Sequence, residues 1–158
     1  MVCSIEPLEG RRLMSAAPMA ITFASVGAEK VLTIDNADNV QLHEWVNLSG
    51  NSVHVTSNNG QTDHGFFDNV TRIEINGTNG DDFVTLDDAD IKAFISTFNG
   101  KDAIVVNNIS LATITDPDLV IVDAGNGKDT IVATTSGDGT ITTLVLSKGT
   151  DTVDAPLA

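Results

Sequence analysis

A chain of 158 residues, 41% of them hydrophobic, holds material for one folded unit with one core. Its formal charge of −14, with only eight Lys and Arg and no basic patch beyond Arg11 and Arg12, lacks the electrostatic footprint of a nucleic-acid binder. No run approaches the roughly 18 apolar residues of a transmembrane helix, and Cys3, the single cysteine, has neither a disulfide partner nor zinc-ligand spacing. The core must be assembled from Val, Ile, Leu and Thr, since tyrosine is absent and there are one tryptophan, Trp45, and six phenylalanines. Such small β-branched residues suit thin, regular sheets. The acid excess rests mainly on aspartate, a turn former, and points to cations, not nucleic acid, as partners.

Residues 1–25 differ from the rest. A mixed stretch leads to Arg11-Arg12, and Leu13 to Ala24 is mildly apolar with small residues, the order of an export signal, although Ser15, Pro18 and Thr22 interrupt it. A short amphipathic helix over 7–14 is the competing expectation. Ile5-Glu6-Pro7-Leu8-Glu9-Gly10-Arg11-Arg12-Leu13-Met14-Ser15-Ala16 resembles the LEPR-XLL motif, which marks surface or secreted proteins of planctomycete-type bacteria; Met14 and Ile5 stand where leucines are usual. The resemblance implies sorting or export, hence an extracellular or cell-surface location. It leads to an expected division into 1–25, an export segment that is disordered or removed, and 26–158, the folded domain.

From about Gly27 onward, short apolar alternations are separated by clusters of Asn, Asp, Gly, Ser and Thr, with no sustained helical period, so the expected class is all-β. The segment from Val40 to Val70 alternates at Val53 and Val55 before Asn58-Asn59-Gly60, a strong hairpin signal, and Phe66-Phe67 are placed to pack the returning strand. It reads as a hairpin that caps the N-terminal end of a stack of repeats.

In the repeat an aspartate precedes apolar residues at plus two and plus four: Asp38-Val40-Leu42, Asp82-Val84-Leu86, Asp102-Ile104-Val106, Asp129-Ile131-Ala133 and Asp151-Val153-Ala155. In a strand those two apolar positions share one face. Seven positions before the last four aspartates stand Ile75, Ile95, Val122 and Leu144, so each unit reads as strand, glycine-containing turn, strand. The aspartates are 44, 20, 27 and 22 residues apart, which predicts a right-handed parallel β-helix or β-roll solenoid of about four to five coils. Ile109 to Ile114 and the Asp116-Pro117-Asp118 turn would supply a third short strand in the longest unit. Two rows should stack in register, Val84, Ile104, Ile131 and Val153, and Ile75, Ile95, Val122 and Leu144.

The turn Ala124-Gly125-Asn126-Gly127-Lys128-Asp129-Thr130-Ile131-Val132 resembles the RTX nonapeptide of haemolysin-type calcium-binding β-rolls, with Ala124 replacing the first glycine; Gly77 to Val84 is a partial match. The resemblance implies weak calcium binding with Asp82, Asp102, Gly125, Gly127, Asp129 and Asp151 as the metal-site residues, glycines shaping turns and aspartates and carbonyls supplying oxygen; the alternative is that these Asn/Gly/Asp turns shape the coils without any metal. The run from Val31 to Asp82 also resembles a stretch that precedes such repeats in LEPR-XLL proteins. Read as exposed carboxylates on adjacent strands about 4.8 Å apart, the aspartates would repel by about 0.8 kcal/mol per pair in water, which a cation, or Lys101, Lys128 and Lys148, would screen.

Other chemistry is weakly signalled. His54 and His64 flank the hairpin turn and His43 lies upstream, so cross-strand proximity is conceivable, but exposed sheet histidines are the plainer expectation. Asp81-Asp82 and Asp87-Asp88 are neighbours in sequence and point to opposite strand faces, and no nucleophile elbow occurs, so an enzyme is not expected. The function expected is a structural or adhesive β-solenoid at the cell surface. Its partners would be surface or matrix components, among them polysaccharide, with end-to-end self-association through an uncapped edge. A calcium-dependent module that folds after export and a polysaccharide-active β-helix enzyme are the two alternatives.

Overall fold

A computed structural model describes residues 18–38, 40–47, 50–58, 60–87, 91–109, 120–135, 143–145 and 150–154. Every element among the described residues is a strand, so the fold is all-β. One sheet contains β1 (Ala20–Val26), β2 (Glu29–Asp35), β6 (Arg72–Asn76), β8 (Lys92–Ser96), β11 (Val120–Asp123) and β14 (Thr143–Val145), in that spatial order. The second runs β15 (Thr152–Asp154), β13 (Thr130–Thr135), β10 (Ala103–Ile109), β7 (Phe83–Asp87), β3 (Val40–Asn47), β4 (Gly50–Ser57), β5 (Thr62–Asp68). A third, two-stranded ladder pairs β9 (Asn99–Gly100) with β12 (Asn126–Gly127).

Both large sheets are mixed, and connection length decides where. β1 and β2 are antiparallel, joined through Gly27, whose φ of 64° suits a two-residue loop. The β3–β4 and β4–β5 pairs are antiparallel as well. The β4–β5 turn carries Asn58 at a φ of 52° and Gly60 at 79°, the conformation the Asn-Gly signal anticipates. All remaining pairs are parallel, because from β6 onward the chain leaves one sheet for the other at each turn and returns to pair with the strand one unit earlier.

Register follows the apolar rows. Val84, Ile104, Ile131 and Val153 are successive partners, and so are Ile34, Ile75, Ile95, Val122 and Leu144. A one-residue slip would turn each row outward, so burial on one face fixes the pairing. Ile34, Ile75, Val84, Val122, Ile104 and Ile131 have no exposed surface and belong to a single core cluster drawn from both sheets.

Residues 20–25, placed with the export segment in the expected division, are the body of β1, a strand at the edge of its sheet: Ile21 packs against the core while most of the strand is exposed. Alternation on β5 also separates Phe66 from Phe67, so that Phe67 joins the core and Phe66 is 60% exposed. The motif-bearing residues 5–16, the third-strand segment 110–119, and Lys148 lie outside the described residues.

Ile104 sits in mid-row between Val84 and Ile131. Ile104→Ala should lower stability by about 2–5 kcal/mol through cavity formation. Ile104→Asp should abolish the cooperative urea transition followed by far-UV circular dichroism, since it adds a buried unpaired carboxylate. The same change at Val153, which is 37% exposed, should be tolerated.

Candidate functional site

Three turns between the sheets share the sequence Asn-Gly-x-Asp: Asn79-Gly80-Asp81-Asp82, Asn99-Gly100-Lys101-Asp102 and Asn126-Gly127-Lys128-Asp129. Each final aspartate has the same strand parity as the core residues two and four positions later. It is therefore carried inward: Asp82, Asp102 and Asp129 are 3%, 2% and 0% exposed. The row of exposed, mutually repelling carboxylates expected from the spacing is thus not what forms.

The buried carboxylates serve as acceptors for the backbone. The Asp82 amide donates to Asp102 Oδ1 at 2.9 Å, the Asp102 amide to Asp129 Oδ1 at 2.9 Å and the Asp129 amide to Asp151 Oδ1 at 3.2 Å. In the same steps the amides of Ala103, Thr130 and Thr152 donate to the carbonyls of Asp82, Asp102 and Asp129 at 2.9, 2.8 and 2.8 Å. Every turn is tied to the next by this pair of bonds. The chain of carboxylates stops at Asp82, which turns back on its own turn: Thr78 donates its amide to Oδ2 at 2.7 Å and its hydroxyl to Oδ1 at 2.8 Å. Asp38, one unit earlier in sequence, is exposed and donates its amide to the Asn36 carbonyl instead.

Outside the aspartates runs a second ladder. Asn99 donates its side-chain amide to Asn79 Oδ1 at 2.6 Å, and Asn126 donates to Asn99 Oδ1 at 3.0 Å. Between the two ladders the glycines approach closely, and a Cβ on Gly127 would overlap the Gly100 carbonyl oxygen. The fourth residue before the aspartate is Thr78, Phe98 or Gly125. Gly125 takes a φ of 73°, natural for glycine, but Phe98 holds 65° in the equivalent place while 44% exposed. A bulky side chain in that region is an outlier that costs on the order of 1–3 kcal/mol.

Of the six residues proposed for a metal site, Asp82, Asp102, Asp129 and Asp151 form one continuous row, whereas Gly125 and Gly127 act through backbone shape. Among the described residues no group of three or more His, Cys, Asp or Glu converges in a way that could hold a metal ion. The Thr97 hydroxyl, buried beside Asp102, donates its one proton to the Ala124 carbonyl at 3.1 Å. Asp102 Oδ2 and Asp129 Oδ2 are buried without a hydrogen-bond partner. Asp81 is exposed and accepts the Lys101 amide at 2.9 Å, so Asp81 and Asp82 do not converge.

The histidines separate. His54 Nε2 lies 2.9 Å from Asp63 Oδ1 and its ring stacks on Phe66 at 4.3 Å, while His64 Nε2 meets Ser57 Oγ at 2.9 Å. The backbone of His43 is the register partner of His54.

Reasoning from sequence missed Thr78, the asparagine ladder and Phe98. The signal for the asparagines was present, one Asn three positions before each of three aspartates. No protein-family model matches this chain, nor does any curated protein or solved structure.

Burial raises the Asp82, Asp102 and Asp129 carboxyls above the ordinary carboxyl range. Amide donors oppose the rise, from Thr78, Asp82 and Asp102 respectively, and neighbouring aspartates reinforce it: Asp38 and Asp81 at Asp82, Asp82 and Asp81 at Asp102, Asp102 and Asp151 at Asp129. A raised folded value means that the fold binds these protons more tightly than the open chain does. Their contribution is therefore most favourable below the ordinary range and declines as pH rises through the raised values. Asp63 has the opposite sign. The Gly65 amide and then His54 hold it low, so its contribution exists above the ordinary value and is lost as pH falls through the lowered one. The thermal midpoint should rise as pH falls from 7 toward the top of the ordinary carboxyl range, and Asp129→Asn should flatten that slope. Asp129→Ala, which leaves the Asp102 amide without an acceptor, should cost about 1–3 kcal/mol by urea titration.

Proposed function

We propose that the chain is a structural or adhesive repeat protein of the cell surface, with its parallel strands wound as a right-handed β-helix or β-roll solenoid of about four to five coils. The antiparallel strands β3 to β5 form its N-terminal cap, and the aspartate ladder is its clamp. The observation that carries this reading is the succession of bonds from the Asp82, Asp102 and Asp129 amides to the carboxylates one turn further on. These bonds commit the most polar residues of the repeat to holding turns together, a use that suits a load-carrying stack. The location rests on the LEPR-XLL-like residues 5–16. The partners proposed are surface or matrix components, with self-association through the exposed strand β15.

A second reading, a calcium-dependent module that folds after export, is favoured by Asp102 Oδ2 and Asp129 Oδ2, two buried acceptors without a donor. Hard carboxylate and turn-carbonyl oxygens are the donor set calcium prefers, and binding would sit in the weak range of extracellular modules. Thermal unfolding in excess calcium and in chelator separates the two. The structural reading expects one midpoint in both. The calcium reading expects a midpoint that climbs with calcium concentration, by an increment equivalent to about 2.7 kcal/mol at a hundredfold excess over the dissociation constant. Fractionation of the producing cells should recover the protein from the envelope or medium; accumulation in the cytoplasm would overturn the location.

A further inference from the structure

We infer that the outer face of the first sheet, where it bends into the Asn-Gly turns, is a binding groove for a neutral glycan. On this face Phe94 of β8 stands between Glu74 of β6 and Ile121 of β11, its register partners, and Ser96 stands between Asn76 and Asp123. Two hollows, of about 220 and 370 Å³, meet along Ser96 and Asp123 to make one open groove. Phe94 lines the first and Phe98 the second, 37% and 44% exposed. Beyond Phe98 the groove runs over Gly125 to the outer edge of the asparagine ladder.

Phe98 is the residue that calls for a functional explanation. It occupies a left-handed position that glycine fills one turn later, and it leaves the ring in solvent instead of the core. A strained backbone that serves neither packing nor the turn is a marker of function.

The chemistry of the lining selects the ligand. A sugar ring has an apolar C–H face and a rim of hydroxyls that both donate and accept. The groove offers aromatic surfaces at Phe94 and Phe98, with two carboxylate acceptors, Glu74 and Asp123, a hydroxyl and amides between and beside them. Among the described residues no Lys or Arg lines either hollow; Arg72 and Lys92 stand on the same face beside it, Arg72 paired with Glu74 at 2.9 Å, and the chain carries a charge of −14, so phosphate, sulfate and uronate ligands meet the carboxylates of Glu74 and Asp123 first. The same carboxylates disfavour an anionic membrane surface. Strand addition by a peptide needs an unpaired edge, whereas β6, β8 and β11 are each hydrogen-bonded on both sides.

The groove adds a ligand to the structural or adhesive role but uses none of the ladder aspartates. Isothermal titration and affinity electrophoresis with laminarin, galactomannan, xyloglucan and chitin oligosaccharides should show binding to at least one, with alginate and polygalacturonate bound at least tenfold more weakly. Phe98→Gly should fold with a midpoint at or above that of the parent, since it relieves the left-handed strain, and yet lose binding at least tenfold. Phe94→Ser should lose it similarly. Phe66→Ser, which removes an exposed ring outside the groove, and Asp129→Asn, at a pH where it is folded, should bind as the parent does. Absence of binding to every neutral glycan, preference for the anionic ones, undiminished binding by Phe98→Gly, or equal loss in Phe66→Ser would each overturn the groove while leaving the ladder's structural role standing.

Discussion

A chain that turns repeatedly between two sheets must find an acceptor for the amide that enters each new strand, and in this protein a carboxylate one turn further on supplies it. The peptide carbonyl of the same aspartate already accepts the following amide of the next turn, as Asp82 does from Ala103. The amide of Asp82 donates to a side chain of the next turn, Asp102 Oδ1. An orphaned amide there would cost about 1–3 kcal/mol per turn, a large fraction of the roughly 5–15 kcal/mol by which domains are commonly stable. That is why the fourth residue of Asn-Gly-x-Asp stays constant while the third varies between Asp81, Lys101 and Lys128, all exposed.

The same device creates its own electrostatic difficulty. Asp82, Asp102 and Asp129 are buried, neighbouring aspartates add to the cost of their charge, and in Asp102 and Asp129 one oxygen is left without a donor. Asparagine would accept the same amide without the charge, but its two N–H groups would then need buried acceptors, which is no easier to arrange. Asp82 shows the resolved form of the problem, because Thr78 supplies donors to both oxygens. Phe98 and Gly125 hold the corresponding place in the next two turns and have no hydroxyl to offer.

Much of this was legible in the sequence, and the part that was misread is instructive. Spacing of aspartates against apolar residues at plus two and plus four identified the strands of the second sheet and their register, because hydrophobic burial on one face admits one pairing. The Asn58-Asn59-Gly60 signal located the β4–β5 turn because turn chemistry is local. Burial of the aspartates was also encoded, since Asp82 shares parity with Val84 and Leu86 and must face the same way. Treating acidic residues as solvent-seeking concealed it. What could not be read was the acceptor role, which joins residues 20, 27 and 22 positions apart through turn geometry alone. Strand β1 was hidden by its composition, because an exposed edge strand of small and apolar residues has the same texture as a weak export segment.

Because the inner positions of each turn are committed to the ladder and the glycines to close approach, variation is confined to the outer positions. The place four residues before the aspartate illustrates how far that freedom extends. Thr78 uses it to complete a hydrogen-bond network, and Gly125 uses it to satisfy a left-handed backbone without steric strain. Phe98 does neither: its backbone is as left-handed as that of Gly125, and its carbonyl accepts the Asn126 amide at 2.6 Å just as a glycine's would. The turn would be better served by glycine, so the ring's presence is a cost the fold tolerates only because the bonds on the inner side over-determine the backbone. A repeat clamped from within can carry an ill-suited side chain on its surface, and that separation lets one turn of an otherwise regular array acquire chemistry its neighbours lack.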